Sequence, residues 1–493
     1  MYLIGLLLAA KVCVSLQHNI EIREGYMKQG LLASYFAGIT DRHHGESYWQ
    51  IIRYFLPEVI TSFVIFALPF WIDSYFISFL KSTPAYATAG ITHNALHLLF
   101  KIAEAFSIGS VILVGNYNGM HEYKKAGNVF RDAFWITIIS GLFFSSVLYF
   151  TAEITLQWLD LSGEIIALAI PFWRLRAIGV FFTFVYVAFM GFLRGIKNTQ
   201  TPMYIFLIGA SVFIFFDYSF IFGKFGFPQL GFNGSAFASV FQSVIMSVVA
   251  ALFVLGNSRY RAYGIELLSV FKEGGTYFKE LLLIIWPVAI DKASLAIAYI
   301  WLSKMLNSMG TCTTATFCVV KDLERFAFLP AIALAQVITF LVSNGYGIHD
   351  WAGIKSNIKK VIFLGSIMVF SILAIFSVFS GSLLKIFDRN GEFTDLTVKI
   401  FPILSVLVFF DLLQLILSGA LRGAGDVKIV MWTRLAICIG YFFPVSYFLA
   451  HLPITDPALK FLVIYGSFYV GNGLMSIVYI NRFRGSKWKT NEL

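Results

Sequence analysis

Acidic side chains stand inside apolar runs at three places in the first half of this 493-residue chain: Asp73 in FWIDSYF, Glu104 in KIAEAF and Asp217 in FFDYSF. The second half adds Asp291 and Lys292 in AIDKAS, Asp322, Glu324 and Arg325 in KDLERF, and Asp411 in FFDLLQ, with Gln414 one turn later. An ionised group at the centre of a membrane-spanning helix costs at least about 2.5 kcal/mol, so each is a candidate functional residue by default. A carboxylate that holds a proton, a Na⁺ or a cationic solute makes their binding mutually exclusive, which is the minimum needed to exchange one for another. Each acid also has a structural reading. Asp411 can fix helix orientation through Gln414 or backbone. Asp291, Lys292, Asp322, Glu324 and Arg325 read as an internal charge network before they read as solute contacts, and Glu104 can pair with Lys101 three residues earlier. His93 and His97 share a helical face but lack a third ligand, so no metal site is expected there.

These residues need apolar rods to hold them. With 58% hydrophobic, 17% aromatic and 13% charged residues, the chain has too little polar surface for a water-soluble globule. Crossing the hydrocarbon core takes roughly 20 apolar residues in a helix that pairs its own backbone groups. Twelve runs qualify, at 50–80, 88–115, 127–152, 164–194, 201–223, 232–256, 277–306, 315–344, 358–382, 396–421, 428–450 and 459–480. The net charge of +10 is unevenly placed: the even-numbered connections and the tail hold about 19 Lys and Arg, among them Lys124, Lys125, Arg259, Lys359, Lys360 and Lys487, and the odd-numbered ones about 6. By the positive-inside bias both termini are cytoplasmic. The opening MYLIGLLLAA is too short to span and lacks a basic start, which leaves a surface-lying segment or a misplaced start codon.

An internal repeat runs through these spans. Gly191, Leu193, Arg194 and Gly195 map onto Gly419, Leu421, Arg422 and Gly423 at an offset of 228, and GMHEY at 119 maps onto GIHDW at 347 with the same offset. Pro57 and Pro287 follow similar lead-ins. Six helices separate equivalent points, so both halves have one orientation, related by an axis along the membrane normal. The expected fold is an all-α polytopic membrane protein of twelve transmembrane helices in two six-helix lobes. Residues 1–48 form an N-terminal extension, 49–256 the first lobe, 257–276 a linker, 277–481 the second lobe and 482–493 a basic tail. Arg194 and Arg422 end the fourth helix of each half, where arginine suits the helix dipole and flanking glycines permit a tight turn. A gating contact is the alternative.

The G-x-L-R-G turn leading into NTQTP, the DYSFIFG that follows, GFNGSAFAS, GNYNG and the second LRG turn resemble, in order and duplication, a multidrug and toxic compound extrusion (MATE) transporter. The resemblance runs from about residue 48 to 480. It implies two six-helix lobes in the inner membrane of a bacterium, exporting amphiphilic, often cationic compounds against an inward flow of H⁺ or Na⁺. It also implies that Asp73, Asp217 and Ser239 belong to a first-lobe cation site, and that Asp411 and Gln414 belong to a second-lobe one. Two departures stand out. Phe213 replaces the family's asparagine one turn before Asp217, removing an oxygen that Na⁺ would want and leaning toward H⁺. In the seventh helix the family's glutamate position, near Leu295, is apolar.

No phosphate-binding loop, dinucleotide fingerprint, nucleophile elbow or zinc helix occurs, so the chain reads as neither an enzyme nor an ATP-driven pump. Cys13, Cys312, Cys318 and Cys438 lack metal spacing and read as apolar fillers. No cofactor beyond the coupling ion, no nucleic acid and a monomer in the lipid bilayer are expected. The alternative is a flippase for a lipid-linked oligosaccharide or peptidoglycan precursor, for which Arg174 and Arg176 would supply basic charge.

Overall fold

The computed structural model describes residues 31–41, 43–66, 68–158, 163–387 and 393–490. Cys13, Asp160 and most of the N-terminal extension lie outside the described residues, as does the side chain of His97. The helices that make up the spans are α1 (Tyr48–Phe66), α2 (Leu68–Ser78), α3 (Thr83–Gly119), α4 (Tyr123–Phe150), α5 (Gly163–Gly195), α6 (Gln200–Phe222) and α7 (Phe232–Leu255) in the first half. The second half contributes α8 (Phe278–Asn307), α9 (Thr311–Gly347), α10 (Trp351–Val378), α11 (Thr394–Gly423), α12 (Val427–His451) and α13 (Pro457–Arg484). Among the described residues no strand occurs, and eleven helices are long and apolar enough to cross a membrane. The expected first span is described as α1 and α2, residue 67 between them lying outside the described residues.

The helix ends follow from local chemistry. Ser82 caps α3 by accepting from the Ala85 N–H, with Pro84 in the first turn, and Asp456 does the same for α13 beside Pro457. Both α3 and α9 run 37 residues, about 55 Å, so each outreaches the hydrocarbon core and begins some residues earlier than hydropathy alone indicates. Within α12, a π turn at Cys438–Phe442 interrupts the regular ladder.

Two large apolar clusters form the cores, one built mainly from α8–α13 and the other mainly from α3–α7. Across the middle, α3 packs on α8 and α9, and α1 lies between α6 and α9. The repeat is visible atom by atom at the basic ends of these helices. A Cβ on Gly119 would sit 2.1 Å from the Asn344 carbonyl oxygen, and one on Gly347 would sit 2.2 Å from that of Asn116. Asn116 and Asn344, like Gly119 and Gly347, are 228 residues apart, so each half offers the other the same small residue and the same carbonyl. His121 and His349 then both adopt left-handed φ angles, of 62° and 55°, as the chain turns into the next helix. Asn344 donates to the Gly195 carbonyl at 2.8 Å and accepts from Asn118 at 2.7 Å, so the two halves are hydrogen-bonded together at this end.

The linker is more ordered than a polar loop. Arg131 on α4 donates to the Ser269 hydroxyl and the Gly274 carbonyl, Asp132 accepts from the Tyr277 N–H at 2.8 Å, and the Trp135 indole donates to the Leu267 carbonyl. Tyr263 donates to Asn118 at 2.7 Å, tying the linker to the seal between the halves. Burial and the neighbouring Tyr123 raise the Tyr263 phenol to about 12, so it remains a donor at neutral pH. The basic tail is not a free charge run either. Arg482 pairs with Asp426 at 2.5 Å, and Trp488 is fully buried with its ring 5.3 Å from that of Trp351.

Candidate functional site

In the first lobe Asp73, on α2, is held by two partners. Arg176 from α5 donates to one carboxylate oxygen at 2.8 Å, and the Ser235 hydroxyl from α7 donates to the other. Arg176 also reaches the Ser235 hydroxyl, at 3.2 Å, so three helices meet in one closed triad. Asp217 on α6 is 0% exposed, lies within electrostatic reach of Asp73 and Arg176, and has no hydrogen-bond partner for either carboxylate oxygen. Arg176 therefore offsets the charge of Asp73, through a single prong that leaves its own Nε buried without a partner. Asp217 is therefore the acid left with an unmet demand for a cation.

The geometry places two of the expected residues differently. Ser239 turns its hydroxyl to the Ala236 carbonyl of its own helix, at 2.8 Å; the serine that meets Asp73 is Ser235, one turn earlier on the same face. Arg176 is not free basic charge for a diphosphate, because Asp73 occupies it. Arg174, two residues earlier, has its guanidinium 5.5 Å from the Tyr149 ring centroid. Phe213, buried one turn before Asp217, brings no oxygen to the site. His93 is exposed and within electrostatic reach of Arg176, Asp73 and Arg325, and the described residues hold no group of three or more metal-type ligands.

The arginines that end the fourth helix of each half are both used as anchors, and more deeply than a dipole contact requires. Arg194 makes a two-pronged pair with Glu58 on α1, at 2.9 Å on each prong, with Glu58 0% exposed. Arg422 donates to Asp291 on α8 at 2.6 Å, and Arg434 on α12 takes the second oxygen of the same acid. In both lobes, then, the fourth-helix arginine is gripped by an acid of that lobe's first helix. The flanking glycines serve close packing: a Cβ on Gly195 would meet Val114 at 2.8 Å and one on Gly423 would meet the Thr339 carbonyl at 2.4 Å.

The single charge network expected in the second lobe is divided. Asp291 belongs to the two arginines. Lys292 instead crosses to the other half and pairs with Glu104 on α3 at 2.9 Å, joined there by Lys101 at 3.0 Å and the Gln336 amide at 3.1 Å. Asp322 and Arg325 form a loose, largely exposed pair at 3.8 Å. Glu324 has no salt bridge; the Tyr465 hydroxyl donates to one oxygen and the other is buried without a partner. Asp411 accepts from the Asn472 amide at 3.0 Å, and Tyr299 stands within electrostatic reach of both Asp411 and Glu324. Gln414 is buried but sits beside Tyr479, with no hydrogen bond to Asp411. The residues passed over in the sequence are Glu58, Arg434, Ser235, Tyr465 and Asn472. Glu58 and Arg434 carried the same signal as Asp73, a charge inside an apolar run; the other three carried none.

The MatE family model matches residues 59–219 and 287–448, one block in each lobe. Probable multidrug resistance protein YoeA of Bacillus subtilis is 23% identical over 420 residues, covering 84% of this chain and 89% of its own. Probable multidrug resistance protein NorM of Thermotoga maritima is 22% identical, covering 70% and 74%. The bent form of the Vibrio cholerae MATE transporter VcmN superposes with a TM-score of 0.79 at 16% identity, over 90% of this chain and 96% of its own, and supports the two-lobed fold. With both lobes matched in order across the duplicated turn, the chain belongs to the MatE family.

Proposed function

We propose that this chain is a secondary active exporter of amphiphilic, cationic organic compounds, working as an antiporter by alternating access and coupled to inward flow of H⁺. The reading draws on relatives that bear the names of multidrug resistance proteins, and one observation carries the coupling: Asp217, fully buried and with neither carboxylate oxygen partnered, beside an acid already neutralised by Arg176. An ionised acid so placed calls for a single positive charge. Na⁺ wants several oxygen ligands. With Phe213 one turn below and Asp73 occupied by Arg176 and Ser235, a proton is the better match. Proton entry and departure at Asp217 then set whether a cationic solute is welcome beside Asp217, which is the exclusion antiport requires.

The basic ends of the helices are assigned to the cytoplasm and the protein to the bacterial inner membrane, as a monomer. With α3 and α9 packed together at those ends, this reading takes the conformation described as the one closed at the basic ends. Ethidium efflux from cells or inverted vesicles, with pH and Na⁺ gradients imposed separately, tests the proposal. Collapse of the pH gradient is expected to stop uphill efflux while collapse of the Na⁺ gradient leaves it. Uphill efflux that persists in Asp217→Asn would end the coupling assignment.

A further inference from the structure

Immediately before α1, residues 43–47 lie across the basic ends of both lobes. Glu46 pairs through its carboxylate with Lys197, in the turn after the fourth helix of the first lobe, at 2.8 Å. Its backbone belongs to the second lobe: the Glu46 N–H donates to the Asn357 side-chain oxygen on α10 at 2.8 Å, and Lys360 on the same helix donates to the carbonyls of Glu46 at 3.0 Å and His44 at 3.1 Å. Asn357 and Lys360 are both buried. Gly45, at φ 70°, is what allows the approach, since a Cβ there would lie 2.5 Å from the Asn357 oxygen and 2.8 Å from the Gly353 carbonyl. Lys197 is itself held in the left-handed region, at φ 60°, on the tight turn that presents it. The segment precedes the matched residues 59–219 and takes no part in the acid sites.

We propose that residues 43–47 are a clasp that fastens the first lobe to the second at the basic ends and must let go of Lys197 each time the transporter opens there. The inference rests on the alternating-access reading above. Opening that end separates the turn carrying Lys197 from α10. Glu46 cannot keep both partners, and the contacts to a buried lysine and a buried amide favour its staying with α10. The Glu46–Lys197 pair is thus the part of the clasp that breaks, and it biases the resting population toward the closed basic end.

The full-length protein in lipid nanodiscs, without its four native cysteines and spin-labelled at Lys124→Cys and Ala352→Cys, tests this. The two label sites are 228 residues apart, at the start of the third helix of each half. Glu46→Gln and Lys197→Gln are each expected to raise the ratio of long to short label distances about two- to five-fold, with the double variant no further than either alone. Gly45→Val, which blocks docking on Asn357, is expected to raise it about ten-fold. Two distance populations that ignore all three substitutions overturn the clasp, as do additive effects of the Glu46 and Lys197 changes. One unchanging distance in every variant and at every pH overturns the alternating-access reading and the clasp with it.

Discussion

The two lobes carry the same arginine at the same place and grip it with acids that are not at equivalent positions. In the first lobe Arg194 meets Glu58, one residue beyond Pro57; in the second Arg422 meets Asp291, four beyond Pro287, and shares it with Arg434. The backbone repeat has therefore been kept while the charges that satisfy it have moved by about a turn. The acids deeper in each lobe differ further. The first lobe leaves one carboxylate, Asp217, with no donor at all, whereas the second surrounds Glu324 and Asp411 with a tyrosine hydroxyl and an amide that each supply one. Hydrogen bonds to a charged acid lower the cost of burying it. The proposed exchange at Asp217 rests on this difference.

Breaking the arginine grip is where the lobes should diverge most. Asp291→Asn leaves two buried guanidiniums without their anion, and a loss of about 3–5 kcal/mol is expected, read as a large fall in the melting temperature of the purified protein. Glu58→Gln strands only Arg194 and should cost less; an equal fall would mean that Arg434 adds nothing to the second grip.

Next comes the contrast between deep acids. Asp217→Asn is expected to reduce uphill ethidium efflux by about 100-fold, close to 3 kcal/mol, with ethidium binding retained. Glu324→Gln should reduce it several-fold at most. Reversal of that order would move the exchanging site to the second lobe.

A third comparison uses the symmetric seal. Gly119→Ala and Gly347→Ala each drive a methyl into the facing carbonyl, and each should cost about 1–3 kcal/mol of closure, seen as a larger long-distance population of the label pair at Lys124→Cys and Ala352→Cys. Unequal effects would show that the two carbonyls do not yield alike.

Smallest is the serine pair. Ser235→Ala removes a donor to Asp73 and should cost about 1 kcal/mol, while Ser239→Ala removes only a bond within its own helix and should change stability by less than about 0.5 kcal/mol. Equal values would restore Ser239 to the site.

Much of this comparison was already legible in the sequence. Apolar run length located the spans, because backbone satisfaction in hydrocarbon forces long helices, and the common offset of 228 revealed the duplication that Gly119, Gly347, His121 and His349 now display. Asp73 and Asp217 were recognisable as acids in apolar runs. The partners of Asp73 were not, because a pairing between helices depends on rotation and depth. Ser235 and Ser239 share a face and differ by one turn of height, which no single chain reports. Arg176 read as surplus positive charge for the same reason: its complement, Asp73, is 103 residues away. Nor could Lys292 be told from its neighbour Asp291, although adjacent positions on a helix project about 100° apart and here serve opposite neighbours, one inside the lobe and one across the divide.

Trp488 has a practical consequence for anyone handling the protein. Its indole is wedged between Trp351 and Phe483 and donates to the Phe483 carbonyl. Purification handles or fluorescent fusions should be appended after that residue, since a shortened version ending at Arg484 would expose the face of Trp351. Such a product would be prone to stick to itself during extraction, and a poor yield from it would say nothing about the transport cycle.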